Sequence, residues 1–250
     1  MTWPAPVRLT PRVTLVGSGS LGFGLTDAHD SHVYLLDGVT DAVLVDAGCG
    51  LASARIAANV RACLGARPVS RIYLTHAHAD HAGGAADLAE QLGATVLALA
   101  PAAAIVATAD EEASGLRTAR QAGVYPEGLR PAPVPVTPAD PGDVAVGKVT
   151  LEVHPTPGHA AGHCCFSVRD AGTRTLFSGD LVFSRGRVAV LATADSDLRE
   201  LDRSLRAMAA LAPDVLLPGH GTPVLREAHT HLQTAVSHLD RAELPPGLLS

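Results

Sequence analysis

The sequence is poor in aromatic residues and in lysine. Aromatic side chains make up 3% of the 250 residues, Lys148 is the only lysine, and the formal net charge is −6. A chain without a basic stripe is not expected to bind nucleic acid. It also contains no run of about 20 apolar residues and no basic start followed by an apolar core, so we expect neither a membrane span nor an export signal. We therefore predict a cytoplasmic protein.

Linkers and cysteines are scarce as well. No Ser/Gly-rich linker and no block of like charges interrupts the chain, so we expect residues 1–250 to form a single domain with one large core. The cysteines are Cys49, Cys63, Cys164 and Cys165. Cys164 and Cys165 are neighbours on an apparent strand and would point to its opposite faces. We predict buried free thiols rather than disulfides.

Short β-branched runs alternate with helical stretches, which predicts an α/β or α+β fold. The predicted strands are 13–17, 33–36, 42–46, 71–75, 95–99, 149–153, 164–168, 175–177 and 215–217. The predicted helices are 51–64, 84–92, 101–121 and 223–240. A further helix carries a stripe that we expect in the core, formed by Leu198, Leu201, Leu205, Met208 and Leu211. Its acidic start at 195–197 is typical of an N-terminal cap.

The most informative segment is 75–84, Thr-His-Ala-His-Ala-Asp-His-Ala-Gly-Gly, which follows the apolar run 71–74. Three histidines and one carboxylate occupy six successive positions in it: His76, His78, Asp80 and His81. Because residues i and i+2 of a strand point to the same side, the first two can close on one cation and the last two can serve a second. Imidazole and carboxylate suit zinc, and also iron or manganese. Burying these groups without a cation or hydrogen bonds would be costly, so a metal site is predicted.

The pattern His76-x-His78-x-Asp80-His81 resembles the motif of metallo-β-lactamase-fold hydrolases. This superfamily includes glyoxalase II thioesterases, lactonases, phosphodiesterases, persulfide dioxygenases and β-lactamases. Three later segments resemble the family's further motifs in the required order: Thr-Pro-Gly-His at 156–159, Phe-Ser-Gly-Asp at 177–180 and Leu-Pro-Gly-His-Gly at 217–221. The resemblance spans about residues 30 to 240. It implies a four-layer αββα sandwich of two mixed β-sheets flanked by helices, an α/β (α+β) fold.

The same resemblance implies a centre with two Zn²⁺ ions, with iron or manganese as alternatives. The seven implied ligands are His76, His78 and His159 for one ion, Asp80, His81 and His220 for the other, and Asp180 bridging both. Asp80 and Asp180 are the expected catalytic residues, because they hold the metals and could orient or relay a proton.

Other polar residues near these motifs are candidates for supporting roles. Asp46, in the segment 45–48, resembles the family's aspartate that holds a ligand histidine by its other ring nitrogen. An aspartate in a strand-end turn before glycine is an equally good interpretation. His154 and His163 flank the third motif, and we expect them to be hydrogen-bonded structural residues rather than ligands.

Two parts of the chain are candidates for substrate contact. Arg185 and Arg187 follow Asp180 and could grip a substrate carboxylate or phosphate, or they are surface arginines without that role. The segment 101–141 lies where relatives carry substrate-facing insertions, or it is a surface connection. Its proline-dense part, 126–141, is expected to be an extended edge or a loop.

The resemblance implies a metal-dependent hydrolase that cleaves a small-molecule acyl substrate, a thioester or a lactone/ester, by a hydroxide shared between two ions. Aspartate at position 180 resembles the glyoxalase II and lactonase branches rather than the branch with cysteine there, so β-lactams are a poor first guess. No tyrosine follows Asp180, which departs from the lactonases. The alternatives are a mononuclear iron persulfide dioxygenase, a phosphodiesterase, a β-lactamase-like hydrolase and a non-catalytic metal scaffold. The physiological substrate and the oligomeric state, a homodimer included, stay open.

Overall fold

The computed structural model describes residues 4–191, 193 and 195–248. In it the chain forms two compact units. The first unit runs to Ala139 and includes Val146–Lys148, and the second comprises Asp140–Ala145 and the chain from Val149 onward. The single domain expected from the sequence therefore stays a prediction, and each unit is described by itself.

The first unit contains a mixed sheet of seven strands in sequential order. They are β1 (Val7–Arg8), β2 (Val13–Gly17), β3 (Val33–Asp37), β4 (Ala42–Val45), β5 (Arg71–Tyr73), β6 (Thr95–Ala98) and β7 (Val136–Pro138). Strands β1 to β4 pair antiparallel, and β4 to β7 pair parallel. Strand β7 gives the proline-dense segment the extended edge that was one of its two predicted forms.

Five helices accompany this sheet: α1 (Ser53–Leu64), α2 (Ala79–Ala82), α3 (Ala85–Leu92), α4 (Ala100–Thr108) and α5 (Leu116–Gln121). The prediction of one helix over 101–121 is wrong, because the chain breaks between α4 and α5. Ala109 ends α4 in the left-handed conformation, and the Asp110 carboxylate accepts hydrogen bonds from the amides of Glu112 and Ala113. An aspartate that bonds the amides two and three residues later favours a turn over a helix interior.

The second unit contains a mixed sheet of five strands in the order β12-β11-β10-β9-β8. They are β8 (Gly142–Val146), β9 (Val149–Pro155), β10 (Cys164–Asp170), β11 (Thr173–Gly179) and β12 (Val215–Pro218). Strands β9, β10 and β11 pair antiparallel, and β11 and β12 pair parallel. Helices α6 (Leu198–Ala210) and α7 (His229–Asp240) and a 3₁₀ turn, Ser184–Gly186, complete the unit.

The helices of the second unit confirm the predicted cap and correct two expectations. The Asp197 side chain accepts hydrogen bonds from the amides of Arg199 and Glu200 and so caps α6. The stripe of α6 is buried at Leu201, Leu205 and Met208, but Leu198, in the first turn, is 47% exposed. Helix α7 begins at His229 instead of 223, because the backbone of Val224 pairs with Leu216 of β12.

All four cysteines are free thiols, and three of them are buried as predicted. Cys63 is exposed, so that part of the prediction is wrong. The buried face of α1 carries Ile56, Val60 and Leu64, at helical spacing, and Cys63 lies off that face.

The two mixed sheets with their helices confirm the fold class predicted from the sequence. Among the described residues, no helix has the length and the apolar character that a membrane crossing requires.

Candidate metal centre

The first unit carries four of the predicted ligands on the turn that follows β5. His76 and His81 are fully buried, and His78 and Asp80 are partly buried. His78 is the N-cap of α2, which holds Asp80 and His81. Glycine lets the junction between α2 and α3 approach the loop after β4: a Cβ on Gly84 would lie 2.3 Å from the carbonyl oxygen of Ala47. The turn is therefore packed backbone against backbone.

His76 and His78 converge although the segment that carries them is not a strand. Strand β5 ends at Tyr73, before the predicted 75, and the backbone is extended again at His78. The Nε2 atom of His76 and the Nδ1 atom of His78 lie 2.9 Å apart. Two imidazole nitrogens at this separation either share a proton or direct their lone pairs toward one cation.

Asp46 fixes the proton positions of two of these histidines. Its buried carboxylate accepts hydrogen bonds from the Thr75 amide (2.7 Å), from the Thr75 hydroxyl (2.9 Å) and from Nδ1 of His81 (2.8 Å). Because the Thr75 hydroxyl gives its one hydrogen to Asp46, Nδ1 of His76, 3.0 Å from that oxygen, must be the donor in their contact. In the neutral imidazole form both histidines thereby present an unprotonated Nε2, which is the nitrogen that can bind a metal.

Asp46 reaches this position through an uncommon backbone conformation. Its φ is +63°, a left-handed value that aspartate tolerates better than most residues. The amide of Asp46 bonds the Tyr73 carbonyl, and the next amide, of Ala47, bonds the carbonyl of His81. Asp46 therefore combines the turn conformation with a hydrogen bond to His81, and its role in holding a metal ligand stays a prediction.

The second unit carries the other three predicted ligands at one edge of its sheet. His159 follows β9, Asp180 follows β11 and His220 follows β12. Because β9 and β11 are each antiparallel to β10, and β12 is parallel to β11, the carboxyl ends of all three strands lie at the same edge. One oxygen of Asp180, Oδ2, lies 3.8 Å from Nε2 of His159 and 3.5 Å from Nε2 of His220. All three side chains are buried.

His159 is held by backbone groups. Its Nδ1 lies 2.9 Å from the carbonyl oxygen of Ala189, which can only accept, so this nitrogen is the donor and Nε2 is left for another partner. Gly158, at φ +133°, packs against α6 so closely that a Cβ there would lie 2.3 Å from the amide nitrogen of Leu201. The Ser204 hydroxyl of α6 donates to the carbonyl of Pro157 at 2.7 Å. The loop that carries His159 thus packs against the N-terminal half of α6.

The two histidines that flank the third motif have hydrogen-bonded positions, as expected. His154 is partly buried, and its Nε2 lies 2.9 Å from the Ser167 hydroxyl. His163 is fully buried, with Nδ1 3.0 Å from the carbonyl of Thr156 and Nε2 3.2 Å from the amide of Asp180. Sequence reasoning missed the hydroxyls of Thr75 and Thr156, although both open the motifs that were recognised.

The donor chemistry fits metal ions. Within the described part of the chain, the groups of side chains that could hold a metal are built from the seven predicted residues and no others. They supply five imidazoles and two carboxylates, a set that suits zinc as well as iron and manganese. Three of the imidazoles have their second nitrogen fixed by Asp46, Thr75 or a carbonyl, as described above. Which ions bind, and how many, stays a prediction.

The thiols near these groups are not activated. Burial raises the pKa of the Cys49 thiol well above its usual value, and burial raises that of Cys165 to about 12. A thiol is nucleophilic only as the thiolate. Neither cysteine is therefore a ready nucleophile near neutral pH.

The predicted substrate contacts have identifiable structural partners. The amide of Arg185 donates to Nδ1 of His231 on α7, and the guanidinium of Arg187 donates to the carbonyl of Leu248. Segment 101–141 places Leu116 and Leu129 in a buried cluster with Cys49 and Ala79, next to Asp80. The arginine grip and the substrate-facing role of segment 101–141, as a lid over the site, stay predictions.

Comparison with known proteins identifies the family. The profile described as the metallo-β-lactamase superfamily matches residues 26–220. An atrochrysone carboxyl ACP thioesterase of Aspergillus fumigatus is 28% identical over 236 residues, 94% of this chain and 64% of that protein. A hydroxyacylglutathione hydrolase of Anaeromyxobacter dehalogenans is 36% identical over 157 residues, 63% of this chain and 48% of its own. The chain thus spans about half to two thirds of the length of these curated relatives.

Solved structures agree on the fold. The Rm3 metallo-β-lactamase superposes with a TM-score of 0.70 at 24% identity, covering 95% of this chain and 93% of that one. The family profile covers more than half of the chain and includes all seven predicted ligands. The chain belongs to the metallo-β-lactamase superfamily.

Proposed function

We propose that this protein is a metal-dependent hydrolase that uses two metal ions, zinc in the first place, to cleave a small thioester or lactone/ester. The observation that carries the proposal is the hydrogen-bond pattern of the histidines. His76, His81 and His159 each have Nδ1 occupied by a hydrogen bond, so that each offers Nε2 to a metal ion. Fixing the second nitrogen is how proteins orient metal-binding histidines.

Each predicted ligand has a part in this proposal. His76, His78 and His159 would hold one ion, and Asp80, His81 and His220 the other. Asp180 would serve both ions, which is supported by the position of its Oδ2 beside the Nε2 atoms of two histidines. The bound ions would supply a water molecule activated near neutral pH and a polarised acyl carbonyl.

The side chains of this protein would orient the metal-dependent reaction and would not supply the nucleophile themselves. The protonated state of the Cys49 and Cys165 thiols argues against a covalent acyl-enzyme on cysteine. Asp80 and Asp180, which would bind the metal ions, are the candidates to hold a proton during the reaction.

The substrate class is inferred from position 180 and from the relatives. Aspartate there resembles the glyoxalase II and lactonase branches, and the two relatives named above are described as a thioesterase and as a hydroxyacylglutathione hydrolase. Both descriptions concern acyl compounds. We therefore place a thioester before a lactone, and both before a β-lactam or a phosphodiester.

A substrate screen at fixed metal content tests the reaction class. The purified protein is stripped with a chelator, reloaded with zinc and assayed on one thioester, one acyl-homoserine-type lactone, one phosphodiester and one β-lactam. We expect the highest kcat/KM on the thioester or the lactone, no activity in the stripped protein, and recovery with zinc. A preference for the phosphodiester would refute the acyl assignment.

A pair of aspartate variants tests the role of position 180. Asp180→Ala should abolish turnover, while Asp140→Ala, which removes an exposed carboxylate of the same unit, should leave it unchanged. His220→Ala should lower metal content less than Asp180→Ala does, because His220 would serve one ion only. Full turnover and full metal content in Asp180→Ala would contradict the assignment.

A further inference from the structure

His163 lies between two of the proposed ligands of the second unit without belonging to them. It is fully buried immediately before β10, four residues after His159. Its Nδ1 lies 3.0 Å from the carbonyl oxygen and 2.9 Å from the hydroxyl oxygen of Thr156. Its Nε2 lies 3.2 Å from the backbone nitrogen of Asp180. One ring therefore contacts the base of the His159 loop and the backbone of Asp180.

The partners of His163 determine its protonation. The carbonyl of Thr156 can only accept, so Nδ1 carries a proton, and the amide of Asp180 can only donate, so Nε2 is unprotonated. The Thr156 hydroxyl donates to the sulfur of Cys165 at 3.3 Å, which leaves its oxygen free to accept from Nδ1. The neutral ring with the proton on Nδ1 satisfies all of these contacts together.

We propose that His163 is a positioning residue that fixes the Asp180 carboxylate against the His159 loop. The proposal rests on the proposed function, because it assumes that Asp180 and His159 bind metal. Asp180 follows Gly179, which has a φ of +48°, at the point where β11 ends. A backbone at a strand end is held by the bonds that its own amides make, and the amide of Asp180 uses Nε2 of His163.

The two ring nitrogens can be separated by substitution. The side-chain oxygen of His163→Gln would lie near the position of Nε2 and could accept from the Asp180 amide. The amide group of His163→Asn would lie near Nδ1, could donate to the Thr156 carbonyl, and would leave the Asp180 amide without this acceptor. His163→Leu removes both contacts. If the ring serves to position Asp180, the variant that keeps the Nε2 contact should retain more metal affinity than the variant that keeps only the Nδ1 contact.

Zinc and cobalt(II) titrations of the chelator-stripped variants test the proposal. Loss of an outer hydrogen-bond partner of a metal ligand costs about 10–100-fold in metal affinity. We expect such a loss in His163→Leu and His163→Asn and a smaller one in His163→Gln, together with a changed cobalt(II) absorption spectrum in the first two. His154→Gln is the matched control, since His154 is a hydrogen-bonded histidine of the same unit that contacts Ser167 and Glu152.

The readouts separate this inference from the proposed function. Wild-type protein that takes up neither zinc nor cobalt refutes the proposed function itself. Wild-type protein that binds both metals, while all three His163 variants bind them with unchanged affinity and spectrum, refutes the positioning role alone. Urea unfolding of the stripped variants distinguishes a loss of stability from a misplaced Asp180. If metal affinity falls in proportion to unfolding free energy, and does not differ between His163→Gln and His163→Asn as expected, His163 has only a structural role.

Discussion

The two units fix their candidate ligands by different physical means. In the first unit a buried carboxylate, Asp46, accepts three hydrogen bonds and sets the protons of His76 and His81. In the second unit the corresponding groups are neutral: a carbonyl holds His159, and the ring of His163 holds the backbone of Asp180. Both kinds of partner orient a ligand histidine, but only the carboxylate carries a charge.

This difference has an energetic consequence. Hydrogen bonds to a charged group contribute about 1.5–3 kcal/mol, and those between neutral groups about 0.5–1.5 kcal/mol. A buried charge that loses a partner is more costly still. The first unit should therefore be the more sensitive to single polar substitutions.

The largest effect is expected from Asp46→Asn. Asparagine keeps the left-handed backbone, but its amide group must face a donor, either Nδ1 of His81 or Thr75. We expect the stripped protein to lose about 3–5 kcal/mol of unfolding free energy, because a hydrogen bond to a charged group, about 1.5–3 kcal/mol, is lost and a buried donor is left unsatisfied, about 1–3 kcal/mol more, and zinc affinity to fall about 10–100-fold. Urea unfolding and zinc titration measure the two losses. Unchanged zinc affinity would show that Asp46 is only a turn residue.

In the second unit the largest effect should come from shape, through Gly158→Ala. The new methyl group would overlap the backbone of α6 in a conformation that alanine rarely adopts, so we expect a loss of about 3 kcal/mol in unfolding free energy. Gly172→Ala is the matched control, because Gly172 also has a positive φ, +85°, but its Cβ would meet open space. Equal losses in the two variants would mean that contact with α6 does not hold the His159 loop.

A matched pair of hydroxyl deletions compares the units directly. Thr75→Val removes a hydrogen bond to the Asp46 carboxylate and should cost about 1.5–3 kcal/mol. Thr156→Val removes a hydrogen bond to the sulfur of Cys165 and should cost about 0.5–1.5 kcal/mol, since His163 keeps the Thr156 carbonyl. Urea unfolding of the stripped variants gives both values. A larger loss of unfolding free energy in Thr156→Val than in Thr75→Val would contradict the proposed difference between the units.

The smallest effect is expected at the surface of the first unit. A hydrogen bond from Arg67 lowers the pKa of Asp37 below its usual value. The stabilisation is therefore present above the unfolded-state pKa, about 3.9, and is lost as the pH falls through the lowered folded-state pKa. Asp37→Asn should leave zinc affinity unchanged and remove only a small part of the acid-side stability, because exposed ion pairs contribute little. An effect as large as that of Asp46→Asn would remove the distinction between buried and surface carboxylates.

The sequence predicted the elements that carry the candidate ligands because their chemistry is local. The motif around His76 to His81 and the start of β2, β3 and β4 could be recognised from histidine spacing and from β-branched runs. The cap of α6 was recognised in the same way, since an acidic residue before an amphipathic helix is a local signal.

What the sequence did not predict depends on contacts between distant residues. The break after α4 and the late start of α7 come from a turn aspartate and from a β-bridge, neither of which changes hydrophobic periodicity. The hydroxyl of Thr75 gained its role only when β4 placed Asp46 beside it, 29 positions earlier in the chain. His163 shows the same limit, because a lone histidine has no pattern that reveals its partners.

The most direct test of this account is the metal content of the purified protein and of its Asp180→Ala variant, measured by elemental analysis beside thioester turnover. We predict two zinc ions per chain in the unmodified protein, loss of metal from both positions in Asp180→Ala, and turnover that falls in parallel. One iron ion per chain, with oxygen consumption on a persulfide, would support the dioxygenase alternative. Turnover that persists without bound metal would contradict the central claim.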